Sequence, residues 1–318
     1  MREDPVKLKW LFLGSLITNT GLSFIWPLTT IYMHEYLHES LTVAGIVLLI
    51  NSIFTLIGNY LGGYLFDHWR PYETMLIGIG IAAISALALI FWHGWPIYAI
   101  LLVTLGVGNG IFLTGINAIA TLTKSKKPSY VFNMLYFTSN LGLVFGSLIV
   151  GYILPLGIRY IFLTAFVLFL VFFIIASQTF KKLDTATRAM PKQRKQQTQP
   201  GRTLDRGAIL ALLLTLFAAW VAYEQWQSNI STYMLQQGMS VRLYSYLWTV
   251  NAVLVVTLQP LMTYFDDFLL KHLRGRLYTG FALFCGSFLL LISAKHYAYF
   301  VIAMVVLTIG EVIAFPAV

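Results

Sequence analysis

The chain alternates between long apolar runs and short polar segments over its whole length. A helix needs roughly 20 apolar residues to cross a bilayer, and ten runs approach or exceed that length. Backbone groups inside lipid must be paired within their own segment, so each run is predicted to be a membrane-spanning α-helix. The predicted fold class is therefore all-α, a polytopic membrane protein. The predicted spans are 10–32, 42–66, 74–92, 97–121, 132–154, 160–179, 208–234, 243–265, 277–294 and 297–318.

A basic polar segment at 181–206 separates six spans from four. It carries eight Lys and Arg residues against two acidic ones, Asp184 and Asp205. Such a composition buries too little apolar surface to offset the entropy lost on ordering, so the segment is predicted to be a flexible linker. The predicted domains are a six-helix half at 1–180, the linker at 181–206, and a four-helix half at 207–318.

The composition excludes the soluble classes. Hydrophobic residues make up 58% of the chain and charged residues only 10%, whereas soluble domains carry roughly 25% charged residues. The net charge of +9 does not indicate nucleic acid, because the basic residues fall in loops. The single cysteine, Cys285, lies in an apolar run, so the sequence offers no disulfide framework and no cysteine-based metal site.

The loop charges predict the orientation. Of the 21 Lys and Arg residues, only Arg159, Arg242 and Lys295 fall on the side opposite the linker. Cytoplasmic loops carry the excess of basic residues in membrane proteins. The N-terminus and the linker are therefore predicted to be cytoplasmic, in a multi-pass protein of the cell membrane.

A charged loop recurs at the corresponding place in both halves, after the second and the eighth span. In each, an acidic residue closes the span and basic residues follow, a pairing that can lock two helix ends. An ordinary charged loop end is the alternative for either loop alone, and the recurrence favours a specific role. The residues are Gly63, Asp67 and Arg70 in the first loop, and Asp266, Asp267, Arg274 and Arg276 in the second.

Six spans, a basic linker, a second block of spans and the loop Gly63-x-x-x-Asp67-x-x-Arg70 resemble the major facilitator superfamily. The resemblance implies a bundle of inverted three-helix repeats that works by alternating access. It also implies that this loop is a conformational switch, and that the first, fourth, seventh and tenth helices line a central cavity. The family normally has twelve spans, so the chain is expected to be truncated after the tenth.

The fifth span carries a second resemblance. Gly142, Gly146 and Gly151 are small residues at spacings that let helices approach closely, and the drug/proton antiporters of the superfamily carry a glycine-rich motif there. Ser147 stands where that motif has proline. Plain helix packing is the alternative interpretation.

Two carboxyl residues lie deep in predicted spans: Glu224 in the seventh and Glu311 in the tenth. Ionisable residues inside the membrane are costly and therefore indicate function. On the seventh helix, Gln227 and Ser228 share one face with Glu224, and Gln225 lies at its edge. The opposite, aromatic face, with Tyr223 and Trp226, is one that lipid would tolerate. On the other cavity helices the polar candidates are Asn19, Asn109 and Asn117, for which interhelical hydrogen bonds are the alternative.

These residues predict a proton-coupled secondary transporter that exports amphipathic, drug-like molecules. Glu224 and Glu311 are the predicted proton-coupling residues, and Glu224 is also the predicted counter-charge for a cationic substrate. The sequence shows no catalytic triad, no metal-ligand spacing and no cofactor motif, so an enzyme is not predicted. The predicted partners are protons, a small molecule and the lipid bilayer, with the protein as a monomer. A proton-coupled importer of a small solute and an inactive fragment are the alternatives.

Overall fold

A computed structural model describes residues 4–153, 156–188, 206–292 and 294–314 of the chain. These residues are almost entirely helical, and no strand occurs among them. The chain divides into two compact units, Met1–Met190 and Pro191–Val318. The predicted all-α membrane fold is therefore confirmed.

The described part of the first unit contains six long α-helices and one short one. Helix α1 continues at its end into a π-helical turn over Tyr32–Tyr36. The α-helices are α1 (Leu8–Ile31), α2 (Leu41–His68), α3 (Pro71–Phe91), α4 (Ile97–Leu122), α5 (Pro128–Ile153), α6 (Ile158–Thr179) and α7 (Leu183–Arg188).

The contacts between the first three and the second three helices of this unit follow a repeating pattern. Helix α2 packs on α4 and α3 on α4, while α5 packs on α1 and α6 on α1. The counterparts are α1 and α4, α2 and α5, and α3 and α6. Exchanging each helix for its counterpart converts the first two pairs into the last two. Inverted three-helix repeats produce this contact pattern.

Within its described residues, the second unit has four long helices and one short one. Helix α12 packs against both α11 and α9. Aromatic rings fill much of the space between these helices, including Trp226 and Phe300, which are completely buried. The helices are α8 (Arg206–Gln236), α9 (Val241–Tyr264), α10 (Asp266–Lys271), α11 (Leu273–Ile292) and α12 (Tyr297–Ala314).

One close helix contact occurs in the same form in each unit. A Cβ added to Gly108 of α4 would lie 2.7 Å from the carbonyl oxygen of Gly78 on α3. A Cβ added to Gly310 of α12 would lie 2.8 Å from the carbonyl oxygen of Gly280 on α11. Only glycine lets the backbones approach this closely. The α3–α4 and α11–α12 crossings therefore correspond to each other.

Eight helices in the described part of the chain are long and apolar enough to cross a membrane. Helices α1 and α8, with 24 and 31 residues, match the remaining two predicted spans. The helix bounds differ from the predicted spans by at most four residues in the described part of the chain, and the largest differences are at the starts of α5 and α11. Helices α2 and α3 extend until only Trp69 and Arg70 separate them. Pro71 begins α3 because proline suits the first helical position, where its missing N–H is not needed.

The predicted linker begins with an ordered helix, which the sequence pattern did not indicate. Helix α7 packs against α3, and Leu183 is completely buried. The carboxylate of Asp184 accepts a hydrogen bond of 2.8 Å from the backbone N–H of Tyr72, in the first turn of α3. Such a contact satisfies a helix-terminal donor that has no partner in its own helix. Residues 189–205 of the predicted linker lie outside the described residues.

Candidate functional site

Glu311 lies inside the second unit, in contact with α9. Only 4% of its surface is exposed. The side-chain amide of Asn251, on α9, donates a hydrogen bond of 3.0 Å to Oε2 of Glu311. The same amide nitrogen donates a second bond of 2.9 Å to Oγ1 of Thr308, one turn earlier on α12. A carboxyl buried at this depth needs such donors to remain ionised, and the amide supplies one.

Sequence reasoning missed Asn251 and Thr308. Both are ordinary polar residues within apolar runs, and neither is charged. The signal that could have found Asn251 is the loop recurrence itself. If Asp67 is aligned with Asp267, then Asn51 in α2 aligns with Asn251 in α9, and Asn59 with Gln259.

Glu224 lies on α8 and is half-buried, as is its neighbour Gln225. The Gln225 amide donates to the carbonyl of Val221 in the preceding turn, at 3.3 Å. The predicted polar face of α8 continues through Gln227 and Ser228, whose side chains lie outside the described residues. Glu224 and Gln225 are thus more accessible than Glu311.

The aromatic face of α8, which the sequence pattern allowed to meet lipid, has buried side chains in the structure. Trp226 is completely buried, and its ring packs at 6.4 Å from that of Phe288 on α11. The hydroxyl of Tyr233 donates to the carbonyl of Ala294 at 3.2 Å. The Tyr233 hydroxyl thus has a partner, as buried tyrosines usually do, whereas the buried Nε1 of Trp226 has none among the described residues. This face therefore packs into the core of the second unit.

Asn19 on α1 takes part in contacts with α5. Its amide donates to the hydroxyl of Ser139 at 3.2 Å and to the carbonyl of Ser15 at 2.8 Å. Nearby, a Cβ on Gly142 would lie 2.7 Å from the carbonyl of Leu16, and one on Gly146 would lie 2.9 Å from that of Thr20. The two glycines thus bring α5 against α1. Gly151 lies in α5, but its surroundings are outside the described residues.

The two asparagines predicted on α4 differ. Asn117 is exposed. Asn109 is half-buried, and its Oδ1 atom is buried without a hydrogen-bond partner among the described residues. Helix α4 packs on α2 beside them, where the hydroxyl of Thr114 contacts Oδ1 of Asn59 at 3.2 Å. Asn109 is therefore the one of the two that leaves an acceptor to be satisfied.

The loop residues Asp67 and Arg70 do not pair with each other. Arg70 instead forms an ion pair with Glu73, with 2.6 Å between Nη1 and Oε1. Asp67 is exposed, and Gly63 is half-buried near the methyl group of Thr114. Glu73 was not among the predicted residues. It lies in the first turn of α3, three residues after Arg70, which is a spacing at which opposite charges pair.

Arg276 was predicted to lie in the loop before the ninth span, and the structure places it in the first turn of α11. It is only 6% exposed. Its Nε donates a hydrogen bond of 2.6 Å to the carbonyl of Ile313, near the end of α12. Carbonyl groups at a helix C-terminus lack partners in their own helix and attract cations. That acceptor explains why an arginine can be buried here.

Comparison with known proteins agrees with this architecture. The family model of the Major Facilitator Superfamily matches residues 11–318. The uncharacterized MFS-type transporter YttB of Bacillus subtilis (strain 168) is 37% identical over 314 residues, which cover 99% of this chain and 79% of that protein. A Na(+), Li(+), K(+)/H(+) antiporter of Planococcus maritimus is 30% identical over 148 residues, 44% of this chain and 34% of that protein.

A solved structure shows the same fold. The human organic anion transporter MFSD10 (TETRAN) superposes with a TM-score of 0.72 at 14% identity, covering 98% of this chain and 83% of that one. Such low identity establishes the fold and not the substrate. The family match extends over nearly the whole chain, and the helix pairing is that of inverted repeats. The chain therefore belongs to the Major Facilitator Superfamily of transporters, as its spans, linker and loop predicted.

Proposed function

We propose that this protein is a secondary active transporter that exchanges protons for amphipathic, drug-like molecules and exports them by alternating access. The proposal places it as a monomer in the cell membrane, with its N-terminus and linker in the cytoplasm. Membership of the superfamily supports secondary transport. The loop charges support the orientation, because only three of the 21 basic residues fall on the other side.

The observation that carries proton coupling is the pair of carboxyl residues within the membrane helices. Glu311 is almost fully buried and hydrogen-bonded to Asn251, whereas Glu224 is half-buried. Carboxyl groups inside a membrane are retained where protons or charged ligands bind. Glu224, the more accessible group, is the proposed proton carrier and counter-charge for a cation. Glu311 is the proposed second proton site.

Ethidium efflux tests the proposal. Proteoliposomes containing the purified protein are given a pH gradient, and ethidium movement is followed by fluorescence together with proton movement. We expect Glu224→Gln to abolish proton-driven ethidium movement, because the amide cannot carry a proton. The matched control is Glu39→Gln, which removes a carboxyl from the loop between α1 and α2 and should leave movement unchanged.

Two results would contradict the proposal. Wild-type coupling in Glu224→Gln removes that residue from the mechanism. An intact wild-type protein that moves neither ethidium nor protons across the gradient rejects drug/proton exchange.

A second candidate is exchange of a monovalent cation for a proton. The partial similarity to the Planococcus maritimus antiporter favours it, and a half-buried carboxylate suits a cation as well as a proton. The same proteoliposomes distinguish the two candidates. Addition of Na⁺, Li⁺ or K⁺ without ethidium would release protons only if the protein is a cation antiporter.

A further inference from the structure

The contact between α2 and α4 in the first unit corresponds to the contact between α9 and α12 in the second. The glycine crossings Gly78–Gly108 and Gly280–Gly310 set the register of the two arrangements. In that register, positions on α12 stand 202 residues after their counterparts on α4. The matched pairs are Leu102 with Met304, Gly106 with Thr308, and Asn109 with Glu311.

In the first unit, this arrangement serves helix packing. The amide of Asn51 on α2 donates a hydrogen bond of 2.7 Å directly to the carbonyl of Leu102 on α4. Gly106 makes this possible, because a Cβ there would lie 2.6 Å from the Asn51 amide nitrogen. The asparagine thus reaches the backbone of the facing helix through the space that a glycine leaves.

In the second unit, a side chain occupies that space. Thr308 stands at the position of Gly106, and its hydroxyl donates to the carbonyl of Met304 at 2.7 Å. Met304 is the counterpart of Leu102, so the threonine has taken the acceptor that the asparagine uses in the first unit. Asn251 instead donates to the threonine oxygen and to Glu311.

The direction of these bonds follows from the number of hydrogens. A hydroxyl has one hydrogen, and that of Thr308 is used on Met304. Its oxygen can then only accept from Asn251, which requires the amide nitrogen and not the amide oxygen to face it. The second hydrogen of that nitrogen points to Oε2 of Glu311, so Oε2 is held as an acceptor. The hydrogen-bond network itself thus decides the amide orientation.

We propose that Thr308 and Asn251 are positioning residues for the proton site at Glu311. Thr308 fixes the Asn251 amide so that it donates to Oε2, and the proton is therefore gained and lost at Oε1. This inference rests on the proposed function in one respect, namely that Glu311 binds a proton. Thr308 and Asn251 themselves take up no proton.

Other charged groups lie on the helices that contact α12. Helices α9 and α11 pack along α12, and α8 reaches it where the Tyr233 ring lies 5.9 Å from that of Phe300. Helix α8 carries the carboxyl of Glu224, which no variant below changes. Among the described residues of α9 and α11, the charged side chains are Arg242, Arg274 and Arg276. Arg242 and Arg274 are exposed, and Arg276 is buried with its Nε on the Ile313 carbonyl. The tests below leave all three unchanged. Tyr244, Tyr246, Tyr264, Tyr278 and Cys285 are the other titratable groups on α9 and α11.

Infrared spectroscopy of the purified full chain tests the proposal without any substrate. The C=O stretching band of the protonated carboxyl is followed as pH is lowered, and Glu311→Gln identifies the band by its loss. In the wild type, Oε2 is the carbonyl oxygen and accepts the amide bond, which lowers the frequency. In Thr308→Val the amide is free to turn its oxygen toward a proton on Oε2, so we expect a second band at higher frequency.

Matched variants separate positioning from general structure. Thr308→Ser keeps the hydroxyl and should restore the single wild-type band. Thr18→Val removes a buried threonine hydroxyl that bonds only to carbonyls of its own helix α1, and it should leave the band unchanged. If Thr308→Val does not fold, Asn251→Leu gives the same expected upshift, and Asn51→Leu is its counterpart in the first unit.

The outcomes decide the proposal either way. A new band in Thr308→Val and Asn251→Leu, but not in Thr308→Ser, Thr18→Val or Asn51→Leu, supports it. An unchanged band in Thr308→Val or Asn251→Leu overturns it, as does an equal change in Thr308→Ser or Asn51→Leu. Failure to lose any band in Glu311→Gln also overturns it. Because no substrate is present, a failed ethidium experiment leaves this result standing and rejects only the proposed exchange.

Discussion

The crossing of α11 and α12 offers a quantitative test, because Gly310 precedes Glu311 directly. Replacing Gly310 by alanine adds one methyl group to the face of α12 that contacts α11. That Cβ would lie 2.8 Å from the Gly280 carbonyl oxygen and 3.1 Å from Cβ of Leu283. Ordinary van der Waals contact begins near 3.4 Å, so the two backbones must separate by roughly 0.6 Å.

Two opposing effects determine the result. Overpacking of a well-packed contact costs about 1–3 kcal/mol. Alanine is favoured over glycine inside a helix by about 1 kcal/mol. A control variant removes the second effect from the comparison. Gly286 lies on α11 with nothing within 4 Å of an added Cβ. Gly286→Ala therefore has the stabilisation that comes from alanine's higher helix propensity, without the clash.

Thermal unfolding of the two variants, purified in the same detergent, measures the difference. We expect Gly310→Ala to be less stable than Gly286→Ala by about 1–3 kcal/mol, which lowers its unfolding midpoint by several degrees. Equal midpoints, or a higher midpoint for Gly310→Ala, would show that the helices have room for the methyl group. The correspondence of the two glycine crossings, and with it the assignment of Thr308, would then lose its support.

Two further predictions concern the ends of the first unit. Asp184→Asn should weaken the contact between α7 and the Tyr72 N–H at the start of α3. Limited proteolysis should then cut within α7 more rapidly than in the wild type. Equal cutting rates would show that the carboxylate does not hold α7. His93 accepts or donates a hydrogen bond of 2.8 Å with the Tyr32 hydroxyl, and burial, followed by the charge of Arg159, lowers the pKa of its imidazole. The histidine of the unfolded chain titrates near 6.5 and binds a proton more readily than the folded one, so stability should fall as pH drops from about 7 through about 6. His93→Gln should flatten that part of the curve of stability against pH. An unchanged slope would contradict the assignment.

The sequence was sufficient for the fold because lipid leaves few alternatives. A run such as 160–179 has too many apolar residues for a soluble element and can pair its backbone only as a helix. Most basic residues fall between the apolar runs because a charge is costly inside lipid. The linker was less predictable. Asp184 and Leu183 look like part of a solvated segment, and only the packing of α7 against the first turn of α3, with the Tyr72 N–H as donor, gives Asp184 a partner.

The site was predictable only in part, for a similar reason. Glu224 and Glu311 could be singled out because carboxyl groups within apolar runs are rare. The periodicity of α8 distinguished a polar face from an aromatic one. It did not show what the aromatic face contacts, because Trp226 and Tyr233 are acceptable either in lipid or in a core. The rings and the Ala294 carbonyl that receive them come from other helices, and no local pattern contains that information.

The Asn251–Glu311 contact shows what kind of information is missing from a single helix. Asn51 and Asn251 are the same residue at corresponding positions, yet one holds a backbone carbonyl and the other a carboxylate. The difference lies on the facing helix, where glycine at 106 is replaced by threonine at 308. The sequence around each asparagine does not show which group its side chain contacts. Only the pairing of α9 with α12 brings Thr308 between the amide and the Met304 carbonyl and turns the amide toward Glu311. An assignment of proton sites in this fold must therefore compare corresponding positions on packed helices, because the residue that determines the carboxyl's hydrogen bond is itself uncharged.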